Sequence, residues 1–268
     1  MLFQCNKLII GASFAGIGIA CKYPDSVVVE SSICVGGEFI NTVNPGTGWD
    51  GKLHSKDAVA FFNRIKEHNA FENGKIHLPA LAPITCDWII DKKITLRMAT
   101  EIKDVKPADD GFEITIFDAD GEHKLHARQI IDTTEGICSA RFSETKPSVH
   151  GKTLNALLHS DHVPIRSGEY SGIEIREGRF PSEAVAMFKL PQDCGWPEAR
   201  QLLHATWTSR SLALREWKIA AVASRFDYKI APRLCRIKKN WLHLPSSGYQ
   251  NPVAAYDNGC SIDLQEEK

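Results

Sequence analysis

The first thirty residues consist of short apolar runs separated by glycine-rich or polar segments. Apolar runs at residues 8–10 and 27–29 flank a stretch of small and apolar residues that begins after Gly11. Runs this short and continuous are typical of strands that a parallel sheet buries on both faces. The pattern predicts a β-strand, a tight glycine turn, a helix and a second β-strand, which together form a βαβ unit.

The periodicity then changes to that of an amphipathic helix, which is followed by segments with the alternating pattern of β-strands. Over residues 55–69, apolar positions recur every three or four residues behind Ser55, which suits a helix N-cap. Patterns typical of strands follow at 93–98, 100–105 and 112–117, and a turn at 119–122 leads back through 124–127. A further apolar strand is predicted to end at residue 132.

The second half of the chain shows no second glycine-rich βαβ pattern. Strands are predicted at 173–176 and 184–188, and helices at 197–206 and 211–224. Near the end, a strand at 241–243 runs into a Ser/Gly turn, and a helix is predicted to begin with Asn251 as N-cap and Pro252 at its first position.

These elements predict an α/β protein. We expect a Rossmann-like domain with a central parallel sheet, formed by residues 1–140 and 233–268. Residues 141–232 are expected to form a smaller inserted α+β lobe that acts as a substrate lobe or cap.

Charge, hydrophobicity and cysteine content indicate which kinds of partner and which cellular compartment to expect. The chain has 32 Lys+Arg and 33 Asp+Glu, so its net charge of -1 gives no reason to expect a nucleic-acid partner. No apolar stretch approaches about 18 residues, so no membrane span is expected. The eight cysteines include no Cys-x-x-Cys pair, and we expect no metal site. The N-terminus lacks a signal-peptide pattern, which favours reduced thiols in the cytoplasm.

The turn after the first strand has the composition of a phosphate-binding loop. Gly11 permits a tight turn, Ser13 stands where a second glycine usually lies, and Gly16 allows close helix packing. The helix that starts near Phe14 and Ala15 would offer its first N–H groups to phosphates. Glu30, which follows the second strand, would accept hydrogen bonds from ribose hydroxyls and repel a 2′-phosphate.

The segment after Glu30 resembles the two-dinucleotide-binding-domain flavoproteins, the glutathione-reductase-like group. In that group the loop that follows the acidic strand end runs along FAD. The resemblance implies FAD as the cofactor and implies cofactor contacts from four residues of this loop: Ser31, Gly36, Gly37 and Glu38.

Two later segments are similar to other parts of the same family. A strand ending in small residues closes the FAD domain there, which implies contacts from Thr133, Thr134 and Gly136. The family's C-terminal helix directs its N-terminus at the flavin ring, which implies contacts from Gly248, Asn251 and Pro252.

Two residues are candidates for catalysis. Cys34 lies in the loop before the glycine pair, where a thiol could face a flavin, although packing is the alternative role. His243 precedes the Ser/Gly turn and could act as an acid or base, or could have only a structural role.

The sequence favours an FAD-dependent oxidoreductase that acts on a small substrate. Without a second βαβ motif we expect no separate nicotinamide domain, so electrons would come from the substrate, a partner or free reduced nicotinamide. Two alternatives stay open. One is an NAD-utilising enzyme similar to thiazole synthases, and the other is a non-catalytic flavin-binding subunit of a hetero-complex. An oligomer or a partner subunit is compatible with all three.

Overall fold

The computed structural model describes residues 3–135, 137–143, 148–161 and 164–264. These residues form six α-helices and sixteen strands, which build two large sheets and one small hairpin. The first half contains β1 (Phe3–Ile10), α1 (Phe14–Lys22), β2 (Ser26–Val29), α2 (Lys56–Glu67), β3 (Phe71–Glu72), β4 (Lys75–Ile76), α3 (Leu81–Asp91), β5 (Leu96–Arg97), β6 (Glu101–Ala108), β7 (Gly111–Asp118), β8 (Gly121–Asp132) and α4 (Ile137–Phe142). The second half contains β9 (Val149–His159), β10 (Gly168–Tyr170), β11 (Ile173–Glu177), β12 (Glu183–Leu190), α5 (Trp196–Thr208), β13 (Lys218–Val222), β14 (Asp227–Ile230), β15 (Cys235–Lys238), β16 (Trp241–His243) and α6 (Pro252–Ser261).

The first sheet has a parallel centre in the strand order β16-β8-β1-β2-β5. Leu8 of β1 pairs with Val27 on one side and with Ile130 on the other. The chain leaves β1 toward β2 and later returns to its opposite side with β8, so the strand order reverses beside β1. Such a switch point opens a crevice at the carboxyl ends of the strands. The predicted Rossmann-like α/β fold is confirmed.

One face of this sheet is covered by α1, α2, α3 and α6. Phe14, Phe61, Trp88 and Tyr256 form a buried aromatic cluster between these helices. The indole N–H of Trp88 donates to the Tyr256 hydroxyl at 2.9 Å, so the one polar atom of each ring is satisfied inside the core. The C-terminal helix α6 therefore packs on the same face of the sheet as α1.

The second sheet has the order β10-β11-β12-β9-β13, with β14 pairing beside β9, and is antiparallel throughout. Its strands come from residues 149–230, inside the range predicted for the inserted lobe, although the domain boundaries themselves stay a prediction. Val185 and Met187 of β12 project into the core of the first domain, so the two sheets share packed surface.

The structure corrects several sequence-based elements. The helix predicted at 211–224 is wrong, because this segment forms a short 3₁₀ turn at Leu212–Leu214 and then β13. An apolar run cannot by itself distinguish a helix from a strand, and here pairing with the edge of β9 decides. The strand predicted at 93–98 shortens to β5, while α3 and β9 were not predicted. Among the described residues, no helix combines the length and hydrophobicity needed to cross a bilayer.

Candidate functional site

The glycine turn between β1 and α1 packs directly against the end of β8. Gly11 has φ +96°, and a Cβ added to it would lie 2.8 Å from Thr134 Cγ2. A Cβ on Gly16 would lie 2.4 Å from the Gly11 carbonyl oxygen. Both positions therefore require glycine, as the sequence predicts. At both positions, an added side chain would collide with other atoms of the protein.

A hydrogen-bond chain holds this turn closed. The Ser13 hydroxyl donates to Thr133 Oγ1 at 2.7 Å, and Thr133 donates to the Ile10 carbonyl at 2.8 Å. Ser13 also caps α1 by accepting from the Gly16 N–H at 3.0 Å. Ser13 and Thr133, both predicted as cofactor contacts, thus bond to the protein and lie buried.

Glu30 lies at the end of β2 and faces the same turn. Its Oε2 accepts from the Ala12 N–H at 2.9 Å, and its Oε1 accepts from the Ser32 N–H at 2.9 Å. Each carboxylate oxygen can accept a second hydrogen bond, so the group keeps capacity for a ligand hydroxyl.

A cavity of about 160 Å³ opens at the carboxyl ends of β1, β2 and β8, and we call it the strand-end cavity. Four residues of the predicted cofactor set line it: Gly11, Glu30, Ser31 and Thr134. Its other walls are Ile10, Val29, Thr100, Glu101, Ile102, Glu135, Cys138, Arg141 and Arg225. A larger cavity of about 650 Å³ lies beside residues 45–50. The smaller one is at the switch point of the parallel sheet, where such folds bind nucleotides.

The N-terminus of α1 is occupied by a carboxyl group. Phe14 N–H donates to Glu38 Oε1 at 2.7 Å, and Ala15 N–H donates to Ser246 Oγ at 3.1 Å. Ser246 in turn donates to the same Glu38 oxygen at 2.7 Å. The N–H groups that the sequence assigned to phosphates therefore already have partners inside the protein.

Burial controls the ionisation of Glu38. Loss of hydration raises the pKa of its carboxyl from 4.5 to about 7. The hydrogen bonds from Ser246 and Phe14 act in the opposite direction, while the nearby Glu135 adds to the rise. Near neutral pH this carboxyl group exchanges between its ionised and neutral forms.

The second lobe contributes a cation to the strand-end cavity. Arg225 Nη2 lies 3.2 Å from Glu135 Oε2, and the Glu135 side chain is only 6% exposed. Arg225 also reaches over Gly37, where an added Cβ would lie 2.8 Å from Nη1. Arg225 was not predicted from the sequence, because it lies in the segment predicted as lobe. No local pattern connects it to Glu135, 90 residues earlier, or to the more distant Gly37.

The first glycine of the pair before Glu38 packs against an aromatic ring. Gly36 has φ +62°, donates its N–H to the Ala12 carbonyl at 2.7 Å, and leaves only 2.5 Å between an added Cβ and the Phe14 ring. Phe14 is fully buried beside Phe39. The Phe14 side chain, predicted near the cofactor, thus belongs to the core.

The C-terminal turn and helix begin as predicted but contact another loop. Asn251 caps α6 by accepting from the Ala254 N–H at 2.8 Å, and Pro252 occupies the first turn. The Asn251 amide also donates to the Thr47 carbonyl at 2.8 Å. A Cβ on Gly248 would lie 2.7 Å from the Pro232 nitrogen, so this glycine packs against the second lobe.

Neither catalytic candidate is among the described residues that line the strand-end cavity. His243 is buried behind Thr134, and its Nε2 lies 3.0 Å from the Thr134 carbonyl. Because a carbonyl only accepts, Nε2 carries the proton in this contact. Cys34 is half-buried and donates its backbone N–H to Ser32 Oγ. Gly136, the remaining predicted contact, lies outside the described residues.

One group of possible metal ligands occurs among the described residues. Asp118, Asp120 and His123 bring ligand atoms within 4.8 Å of one another at the β7–β8 hairpin. Asp118 already pairs with Arg97 at 2.6 Å, so its negative charge has a partner. None of these three residues lines the strand-end cavity.

Comparisons with known proteins detect similarity at the level of the fold. No known family profile matches the chain, and no curated protein matches it. Among solved structures, a flavoprotein/dehydrogenase from Cytophaga hutchinsonii is similar with a TM-score of 0.62 at 16% identity, over 96% of this chain and 76% of that one.

Two further enzyme structures have comparable similarity. A p-nitrophenol 4-monooxygenase from Pseudomonas putida gives a TM-score of 0.61 at 11% identity, over 96% of this chain and 77% of that one. An aklavinone-11 hydroxylase solved with FAD and aklavinone gives a TM-score of 0.58 at 14% identity, over 96% of this chain and 61% of that one. These similarities support the FAD-domain fold and do not confirm the glutathione-reductase-like group.

Proposed function

We propose that this chain is an FAD-dependent oxidoreductase that acts on a small organic substrate and binds the adenosine part of FAD in the strand-end cavity. The observation that carries the proposal is the meeting of Gly11 and Glu30 at that cavity. The carboxyl ends of parallel strands beside a switch point are where such folds bind dinucleotides.

The residues present fit the adenosine half of FAD. Glu30 can accept from ribose hydroxyls through its remaining lone pairs, and Ile102 and Thr134 offer wall surface for the base. Arg141 and Arg225 at the cavity rim supply positive charge near the expected position of the phosphates.

The diphosphate half fits only after a change at α1. Glu38 and Ser246 accept the first-turn N–H groups of this helix, so phosphate oxygens would have to replace them. A carboxylate and a diphosphate cannot both occupy this position, because like charges at such short distances repel strongly.

The neighbours provide independent support for flavin chemistry. One is described as a flavoprotein, one as a monooxygenase, and one holds FAD together with aklavinone. Bound FAD would supply the two-electron redox chemistry of the flavin ring. This chain would contribute binding, orientation and control of charge near the cofactor.

The proposal predicts that purified protein carries a flavin or takes it up. We expect a yellow product with flavin absorbance, or quenching of free FAD fluorescence on titration. Release by denaturation followed by mass measurement would identify the bound species. Colourless protein that fails to bind added FAD, in the wild type and in a Glu38→Gln variant, would contradict the proposal.

A second candidate is a flavin-binding subunit that does not itself catalyse a reaction. It is favoured by the packing at α6, where Asn251 donates to Thr47 and an added Cβ on Gly46 would lie 2.8 Å from Asn251 Cβ. This loop covers the helix end that the sequence assigned to the flavin ring. Turnover of any electron donor by the isolated, FAD-loaded chain would argue against the second candidate.

A further inference from the structure

Glu38 holds the position at α1 that phosphate groups take in dinucleotide-binding folds. Its Oε1 accepts from the Phe14 N–H at 2.7 Å. The Ser246 hydroxyl donates to the same oxygen and accepts from the Ala15 N–H. Helix N-termini attract anions through unpaired N–H groups and the positive end of the helix dipole. A carboxylate and a phosphate therefore compete for the same groups.

The fold keeps Glu38 at this position. The turn before it is tied to the α1 turn by the Gly36 N–H, which donates to the Ala12 carbonyl at 2.7 Å. Behind it, the Thr42 hydroxyl donates to the Glu38 carbonyl at 2.8 Å. The Glu38 side chain is 5% exposed, so it does not extend into solvent as an ordinary surface carboxylate does.

We propose that Glu38 is a built-in competitor for the diphosphate of the cofactor, and that an anionic dinucleotide binds only when Glu38 is neutral or displaced. This inference rests on the proposed nucleotide site and adds a residue that determines its ligand preference. Adenosine, which carries no phosphate, would bind the strand-end cavity without disturbing Glu38.

The charges that face Glu38 come from several elements. The first turn of α1 has no acidic side chain, and Ser246 brings no charge. Glu30 lies on the β2 side and bonds to the Ala12 N–H. Glu135 follows β8 and is paired with Arg225 of the second lobe. Glu101 lies in the wall of the strand-end cavity. Protonation of Glu38 thus removes a negative charge next to the α1 N-terminus while the other carboxylates stay.

The test compares two ligands at two pH values. FAD and adenosine are titrated by calorimetry into the wild type, into Glu38→Gln, and into Glu122→Gln as an exposed control with the same charge change. Titrations are run about one pH unit below and one above neutrality. A glutamine amide oxygen can still accept from Phe14 N–H and from Ser246, so the variant keeps the local hydrogen bonds. Circular dichroism checks its folding.

We expect wild-type affinity for FAD to fall with rising pH, approaching tenfold per pH unit above neutrality, because binding is linked to uptake of one proton. Glu38→Gln should bind FAD with little pH dependence and about tenfold more tightly at the higher pH. Adenosine affinity should be the same in all three proteins and at both pH values.

The outcomes separate the two proposals. If wild-type protein binds FAD with no pH dependence and Glu38→Gln leaves the affinity unchanged, the role of Glu38 is overturned while the nucleotide site stands. If neither FAD nor adenosine binds to Glu38→Gln at either pH, removal of the competitor opens no site and both proposals fail. The pH response of the wild type is an independent measurement should the variant fold poorly.

Discussion

The carboxyl group of Glu38 is surrounded by donors that favour its charge and by a core that disfavours it. Phe14 N–H and Ser246 Oγ both donate to Oε1. Burial nevertheless outweighs them, since the pKa rises to about 7. Desolvation removes several stabilising contacts with water, whereas two hydrogen bonds replace only part of them. At the residue scale, this balance determines whether the helix N-terminus faces an anion or a neutral acid.

The raised pKa predicts a pH-dependent stability. In the unfolded chain the carboxyl titrates near 4.5 and in the folded protein near 7. Between these values the folded state binds more protons, so the free energy of unfolding should fall as pH rises from about 4.5 to about 7. The total change is of order 3 kcal/mol, since one pKa unit corresponds to about 1.4 kcal/mol. Urea denaturation across this range measures it.

Glu38→Gln serves as the comparison for this measurement. The variant cannot ionise at this position, so the part of the pH slope that Glu38 contributes should disappear while other titrations persist. Parallel stability curves for the wild type and Glu38→Gln would show that the carboxyl titrates normally in the folded protein.

Close contact between α1 and α6 depends on two glycines. A Cβ on Gly18 would lie 2.3 Å from the Tyr256 carbonyl oxygen, and one on Gly259 would lie 2.2 Å from the Ala15 carbonyl oxygen. The backbones of the two helices therefore touch at both positions. At the element scale, this contact joins the C-terminal helix to α1 and supports Ser246, which lies in the turn before α6.

Gly18→Ala should destabilise the protein by about 2 kcal/mol, because the two helices must separate, as in overpacked cores. Alanine has the better helix propensity by about 1 kcal/mol, which offsets only part of this cost. Gly151→Ala is the control, because its added Cβ would meet only the Lys229 side chain at 3.5 Å. Equal stability of both variants in thermal unfolding would contradict the assigned helix contact.

The two lobes meet around the loop that follows Glu38. The Asn155 amide of β9 donates to the Thr42 carbonyl at 2.8 Å, and Arg225 pairs with Glu135 at 3.2 Å. At the scale of the whole molecule, the second lobe is thus one wall of the strand-end cavity. Movement of that lobe would change the charge at the cavity rim.

A double-mutant cycle tests this connection between the lobes. Arg225→Met and Glu135→Gln should each destabilise the protein, with a coupling energy of about 1 kcal/mol in the double variant. The value is modest because Arg225 is 39% exposed and solvent screens the pair. The exposed pair Lys124–Glu113 is the control and should couple more weakly, because solvent screens both of its charges. A coupling energy of zero between Arg225 and Glu135 would show that this ion pair does not connect the two lobes.

Local sequence patterns were sufficient to predict the features that depend only on residues close together in the sequence. The β1–α1–β2 unit, the Ser55 cap of α2, the β7–β8 hairpin and the Asn251 cap of α6 are confirmed. Each rests on periodicity or capping within about a dozen residues. The requirement for glycine at positions 11 and 16 is confirmed for the same reason.

Only the tertiary structure decided which groups meet at the site. Residues 218–222 became a strand because β9 offered an open edge, although their composition also suits a helix. Glu38, Ser246 and Arg225 come from a loop, the C-terminal turn and the second lobe, and no periodicity encodes their meeting. The sequence determined a nucleotide-type βαβ unit, since backbone geometry is local. Long-range packing decided that a buried carboxyl group accepts from the first turn of α1.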